Sequence, residues 1–354
     1  MRNPRVLVTG VGSNVGQGVA KALRAAFPGA FLLGTDCAPL SAGFFALDEG
    51  RVLPSADGPG YVAALKEVCL TAGIELVLVA SHGEVLAVAR ARADLEASTS
   101  ARVVVSAPEA VERCIDKYAT VECLRAAGCA FPQSTVDTRP EALTGFLSMV
   151  GLPVVVKPRR GQGSKRVSVV SSAAQVREAC DSTPDPIVQE HLGSTDEEYT
   201  VAVLADRDGR VASATAMRRT LSGGTTVVAE TGSFPEIVAE AARVAVALGV
   251  IGPVNVQMRL TSRGPVTFEV NPRFSGTTGM RALAGWNDAA AVVRHFLWDE
   301  AIALAPPRPG RVLRYYDEVF VPEESAHACV TNGGVRADSR RALDVLTLFG
   351  PHRA

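Results

Sequence analysis

The chain has 354 residues, 47% of them hydrophobic and 21% charged, with 36 Lys and Arg against 37 Asp and Glu. A balance so close to neutral excludes partners held by bulk charge, duplex DNA and anionic membranes among them, so no nucleic acid and no membrane are expected. No uncharged apolar run approaches the roughly 18 residues of a membrane span. The amino terminus enters a strand directly, so no signal peptide is expected. The seven scattered cysteines form no CxxC pair and read as reduced thiols of a cytoplasmic protein.

The length suits two to three domains. Residues 5–26 read as strand, glycine turn and amphipathic helix, and 30–36 as a second strand ending on Asp36. Helices over 61–73 and 83–98 alternate with strands over 74–81 and 101–108. That alternation predicts a parallel, doubly wound sheet ending near residue 112. The pattern then changes. A helix over 116–128 stops at Gly128, and 152–172 reads as two antiparallel strands around a Gly-rich turn. Residues 186–221 add strands with an Asp208–Gly209 hairpin turn. A helix over 235–249, a hairpin over 252–273 and a helix over 289–302 follow. Beyond the Pro-rich 305–311, "RVLRYYDEVFV" is a strand that either packs back or pairs with a second subunit, which leaves a homodimer open.

Four stretches carry chemistry. "GVGSNVG" (10–16) with Asp36 is a loose dinucleotide fingerprint, compatible with a phosphate site, another ligand, or plain turn geometry. No tyrosine has a lysine four residues on, which counts against a short-chain dehydrogenase. Lys157 ends an apolar strand and precedes a loop with Gly161, Gly163 and Ser164, whose N–H groups could cradle phosphate. "IVQEHLG" runs into acids before the next strand, "YTVAVL", as a linker beside a base would. In "FEVNPR", Glu269, Asn271 and, if the chain stays extended, Arg273 share one face. "VNVQMR" likewise puts Asn255, Gln257 and Arg259 on one side, and a turn centred near Arg263 sets Gln257 opposite Glu269. Converging oxygen donors of this kind suit Mg2+, and Arg273 could clamp a transferring phosphoryl group. The basic clusters at Lys157–Arg160, Lys165–Arg166 and Arg218–Arg219 suit a small polyanion.

In the order of these parts, with "VVVKP", the glycine loop and "NVQ…FEVNPRFSG", the chain resembles the ATP-grasp superfamily, in particular its carbamoyl phosphate synthase large-subunit-like carboxylate–amine ligases. The likeness runs from about residue 5 to 300. It implies an α/β fold: a Rossmann-like domain (1–112), an ATP-grasp small lobe with the nucleotide lid (113–195), a large lobe with the metal and phosphate site (196–305), and a carboxyl-terminal segment (306–354). It implies ATP and Mg2+ as cofactors, and small-molecule carboxylate and amine substrates joined through an acyl phosphate. By the same resemblance Lys117 and Lys157 touch the nucleotide phosphates, and Gly161, Gly163 and Ser164 form the loop over them. Gln189, Glu190 and Leu192 belong to the adenine hinge and Glu198 takes the ribose. Gln257, Glu269 and Asn271 face the metal, Arg273 sits beside the acyl phosphate, and Arg218 and Arg219 hold phosphate or the donor carboxylate. Arg166 departs from the pattern, standing where a glycine is common. His82, His191, His295 and His327 read as structural, with His82 the one worth testing because it follows a strand end. The competing readings are a nicotinamide-dependent oxidoreductase and an ATP-binding regulator without catalysis.

Overall fold

Apolar strands too short to bury themselves alternate with helices over the first hundred residues and pair in parallel. In the computed structural model, which describes residues 2–161, 166–194, 197–336 and 344–346, these are β1 (Arg5–Thr9), β2 (Phe31–Asp36), β3 (Glu49–Val52), β4 (Leu76–Leu78) and β5 (Arg102–Val104). Between them lie α1 (Asn14–Ala26), α2 (Ala42–Ala46), α3 (Tyr61–Thr71) and α4 (Val85–Ser98). The order β3-β2-β1-β4-β5 is that of a Rossmann-like sheet. The chain divides into two units, one of Met1–Val105, Val227–Ala229 and Arg273–Ala354, the other of Ser106–Thr226 and Glu230–Pro272.

The second unit begins with α5 (Pro108–Ile115) and α6 (Lys117–Ala126) and holds two sheets. The smaller contains β6 (Ser134–Thr135), β7 (Val154–Pro158), β8 (Ser168–Val170) and β9 (Pro186–Glu190), in the order β6-β9-β7-β8 and wholly antiparallel. Helices α7 (Pro140–Val150) and α8 (Ala173–Ser182) accompany it, and Leu143, Phe146, Val156, Val176 and Val188 share one core. Of the larger sheet this unit carries β10 (Glu198–Ala205), β11 (Val211–Ser222), β13 (Gly252–Thr261) and β14 (Gly264–Asn271), in the order β14-β13-β10-β11, with the ends of β12 (Thr225–Thr231), whose Val227–Ala229 belong to the first unit. Helix α9 (Pro235–Leu248) packs on one face through Ile237, Ala241, Val244 and Leu248, against Tyr199, Val201, Val256, Met258 and Val270. The opposite face is polar and carries the site.

The first unit resumes with α10 (Thr278–Leu283), α11 (Asp288–Trp298), β15 (Gly310–Leu313), β16 (Glu318–Phe320), α12 (Glu323–Thr331), β17 (Gly334–Val335) and β18 (Asp344–Leu346). The single strand read over "RVLRYYDEVFV" is therefore two, because Arg314 turns its backbone N–H to the Val227 carbonyl and its side chain to Gly276. The carboxyl-terminal segment packs back on its own chain: β17 adds antiparallel to the β3 edge, and β16 pairs with β18.

The glycine motif is used for packing. The Gly12 N–H donates to Asp36 Oδ2 at 2.8 Å, and a Cβ at Gly12 would lie 2.6 Å from Ser41 Oγ. Ser13 caps α1 by accepting from the Gly16 N–H at 3.2 Å. Gly18 lets α10 approach, since a Cβ there would sit 3.3 Å from the Gly279 nitrogen. Gly18→Leu is expected to drive these helices apart and cost about 1–3 kcal/mol, measured as a lower urea midpoint at unchanged m-value.

Candidate active site

The site is built on the β13–β14 hairpin. Period-two alternation sends Val254, Val256, Met258 and Val270 into the core beneath α9. Asn255, Gln257 and Arg259 take the other face, and register pairs Gln257 with Glu269 and Asn255 with Asn271. One residue breaks the alternation. Gln257 faces Glu269 but Met258 faces Thr267, so Phe268 is the extra residue of a bulge. The bulge turns the Phe268 ring to the polar face as well, with Lys157 Nζ 5.9 Å and Arg259 Cζ 5.7 Å from its centroid. Cations over an aromatic face gain from its quadrupole. Asn271 Nδ2 donates to Glu269 Oε1 at 2.9 Å, and Thr200 Oγ1 donates to Asn255 Oδ1 at 2.6 Å.

Two lysines face this hairpin's carboxylate. Lys157 ends β7 and is 6% exposed, and Lys117 opens α6 and is 8% exposed. Asp116 caps α6, accepting from the Tyr118 and Ala119 N–H groups at 3.0 and 3.1 Å. It also holds Arg159 at 2.7 Å and Arg160 at 3.3 Å. Lys117 Nζ donates to the Pro158 and Gly161 carbonyls at 3.2 and 3.1 Å, fastening the base of the glycine loop. Burial pushes the Lys117 ammonium below the usual lysine range, against the pull of Glu269 and Asp116. Burial pushes Lys157 down to about 8; Glu269 opposes this, while Lys117 and Arg259 add to it.

At the other end of the polar face, Glu198 is 4% exposed and clamped twice. Arg219 donates to Oε1 through Nε and Nη2 at 3.0 and 2.6 Å, and Arg259 to Oε2 through Nε and Nη2 at 3.3 and 3.0 Å. Arg219 Nη2 also reaches Gln257 Oε1 at 2.9 Å, and Arg259 Nη1 reaches the Gly193 carbonyl at 2.9 Å. Gln189 is buried, with Nε2 donating to Ser134 Oγ at 2.9 Å. Glu190 takes Arg263 on both oxygens at 2.8 Å. Leu192 lies in the coil after β9.

The oxygen donors fit Mg2+. Among the described residues no group of three His, Cys, Asp or Glu gathers. One carboxylate with amide oxygens beside it is the sparse donor set of an ion that keeps its waters and takes phosphate oxygens. Gln257 Oε1 already accepts from Arg219 but has a second lone pair.

The family model described as "ATP-grasp in the biosynthetic pathway with Ter operon" matches residues 182–319. The chain carries an ATP-grasp domain. It is 25% identical over 233 residues to the carbamoyl phosphate synthase large chain of Campylobacter jejuni, covering 61% of this chain and 21% of that one. The N5-carboxyaminoimidazole ribonucleotide synthetase of Thermus thermophilus superposes with a TM-score of 0.66 at 19% identity, covering 86% of this chain and 81% of that one. The L-amino acid ligase of Bacillus licheniformis superposes with a TM-score of 0.64 at 16% identity, covering 86% and 78%. These structural likenesses establish the fold. The chain spans 18–38% of the length of the curated relatives it matches.

Lys117, Lys157, Arg219, Gln257, Glu269 and Asn271 lie in one unit, linked by the contacts above. Arg218 is divided from them: neighbours on a strand face opposite ways, and it pairs with Glu230 at 2.9 Å beside Tyr199. Arg273 falls in the other unit, where its Nη1 donates to the Phe274 carbonyl at 2.7 Å. Gly163 and Ser164 lie outside the described residues. Arg166 adopts φ +57°, a left-handed conformation that favours glycine. Sequence reasoning gave no role to Arg259 or Phe268. The alternation in "VNVQMR" pointed to Arg259, whereas nothing in the sequence marked the bulge.

A nucleotide's phosphates would raise the Lys157 pKa again, so binding should take up a proton near pH 8 and above. ATP affinity is expected to fall as pH rises through about 8, by up to about tenfold per pH unit for one linked proton. Titration calorimetry in buffers of different ionisation enthalpy reads that uptake, and Lys157→Met should flatten the slope.

Proposed function

We propose that this ATP-grasp protein is a cytoplasmic carboxylate–amine ligase: it activates a small carboxylic acid as an acyl phosphate at the expense of ATP, then joins it to an amine, releasing ADP and phosphate. The observation that carries this reading is the pair of buried lysines, Lys117 and Lys157, set electrostatically against Glu269 on the bulged hairpin. Buried cations with a depressed pKa seek an anion, and a triphosphate is an anion of the right size. Glu269 and Asn271, with Gln257, would hold Mg2+, which when bound supplies positive charge to the terminal phosphates. Lys157 and Lys117 would draw charge off the phosphoryl oxygens; for Arg273 the place beside the acyl phosphate rests on the family resemblance alone. Gly161, Gly163 and Ser164 would cover the phosphates and exclude water that otherwise hydrolyses an acyl phosphate. Gln189 to Leu192 would receive the base. Glu198 could take the ribose only by releasing Arg219 or Arg259, since both its oxygens are engaged.

In this reading the smaller sheet belongs to the small lobe (113–195) and the larger to the large lobe (196–305), between a Rossmann-like domain (1–112) and the carboxyl-terminal segment (306–354). The oxidoreductase alternative fits less well, because Asp36 and Ser13 already occupy the Gly12 and Gly16 N–H groups. The strained Arg166 is the feature that favours a regulator without catalysis.

The test is a screen of acid and amine pairs for ADP release from Mg-ATP. Glu269→Gln should lower ADP release at least about 100-fold with the thermal transition kept; unchanged turnover would remove the metal role. Lys157→Ala should weaken ATP about 10- to 100-fold by direct binding measurement, and an unaltered Kd would count against the phosphate role.

A further inference from the structure

The segment after Arg273 is held from within by one guanidinium. Arg281, on α10, is 1% exposed. Its Nη1 donates to Ser275 Oγ at 2.7 Å and Thr277 Oγ1 at 2.8 Å, and its Nη2 to Thr278 Oγ1 at 3.0 Å and Asp288 Oδ2 at 2.5 Å. The guanidinium lies 5.6 Å from the centroid of the buried Trp286 ring. Arg281 Nε is buried with no partner among the described residues. A second arginine works from outside: Arg314, just beyond β15, donates to the Gly276 carbonyl.

A buried ion pair is a poor way to gain stability, and an apolar pair of similar volume often does as well or better. What Arg281 supplies that an apolar residue cannot is direction. Three hydroxyls, those of Ser275 and Thr277 in the short loop and of Thr278 where α10 begins, are turned onto a single planar fork, which fixes the path of residues 274–278. That loop begins at Arg273, whose own Nη1 folds onto the first carbonyl of the segment, Phe274 O.

We propose that Arg281, paired with Asp288, is a positioning residue: it sets the course of the 274–278 loop and so the direction in which Arg273 presents its guanidinium. The role of Arg273 rests on the ligase reading; the locking of the loop does not.

The experiment compares the full chain with Arg281→Met/Asp288→Leu, which removes the pair without leaving a buried charge, and with Arg281→Lys, which keeps the charge but not the fork. Thermal unfolding of the double variant should match or exceed wild type, while amides of 274–281 exchange at least about tenfold faster. Protection there equal to wild type would overturn the proposal, whether or not the protein turns over ATP. With an acid–amine pair that wild type uses, both variants should lose kcat about 100-fold with the KM for ATP within about twofold. Rescue of kcat by Arg281→Lys, or a KM that rises while kcat holds, would overturn it too. A wild-type chain silent with every pair would sink the ligase reading, and the exchange measurement would still decide the loop.

Discussion

Charge without water is the constraint from which the polar face of the second unit follows. Lys157 and Lys117 are both nearly inaccessible, and burying an ammonium is costly unless an anion lies close. Glu269 is the carboxylate that raises the pKa of both. The partial compensation leaves the Lys157 pKa at about 8, below the range of a surface lysine.

Glu198 shows the same economy with the signs reversed. It is an acid buried between two guanidiniums, each donating twice to one oxygen. Such doubly bonded contacts are directional, so they fix where Arg219 and Arg259 point as well as cancelling charge. Through Arg219 the clamp reaches Gln257, and through Arg259 it reaches the Phe268 ring and the Gly193 carbonyl. Glu198 is thus, in this structure, the tie between the hairpin and the stretch beyond β9.

Much of this was legible in the sequence where the signal is local and periodic. The parallel first sheet followed from strands alternating with helices, and the register of Gln257 with Glu269 from a turn near Arg263. The bulge was not legible: one inserted residue leaves the apolar alternation on either side intact, yet it brings Phe268 round to the polar face. Nor was the Glu198 clamp, whose partners lie 21 and 61 residues along the chain. The course of 274–281 was not legible either: its second half is helix α10, and Arg281 is buried there among hydroxyls that no local pattern pairs with it. Arg218 and Arg219 were grouped as a basic cluster and by the family resemblance, and a strand turns adjacent residues to opposite faces.

The short pairing of Gly334–Val335 against Gly50 and Arg51 ties one of the latest described segments to one of the earliest. A hydrogen bond from the Val52 N–H to the Gly333 carbonyl at 2.7 Å extends the seam. During synthesis the border of the first sheet therefore stays open until about residue 335 has emerged from the ribosome. Until then an unpaired backbone ribbon is available to neighbouring nascent chains, and the order of translation, as much as the contacts themselves, bears on how safely the protein reaches its native form.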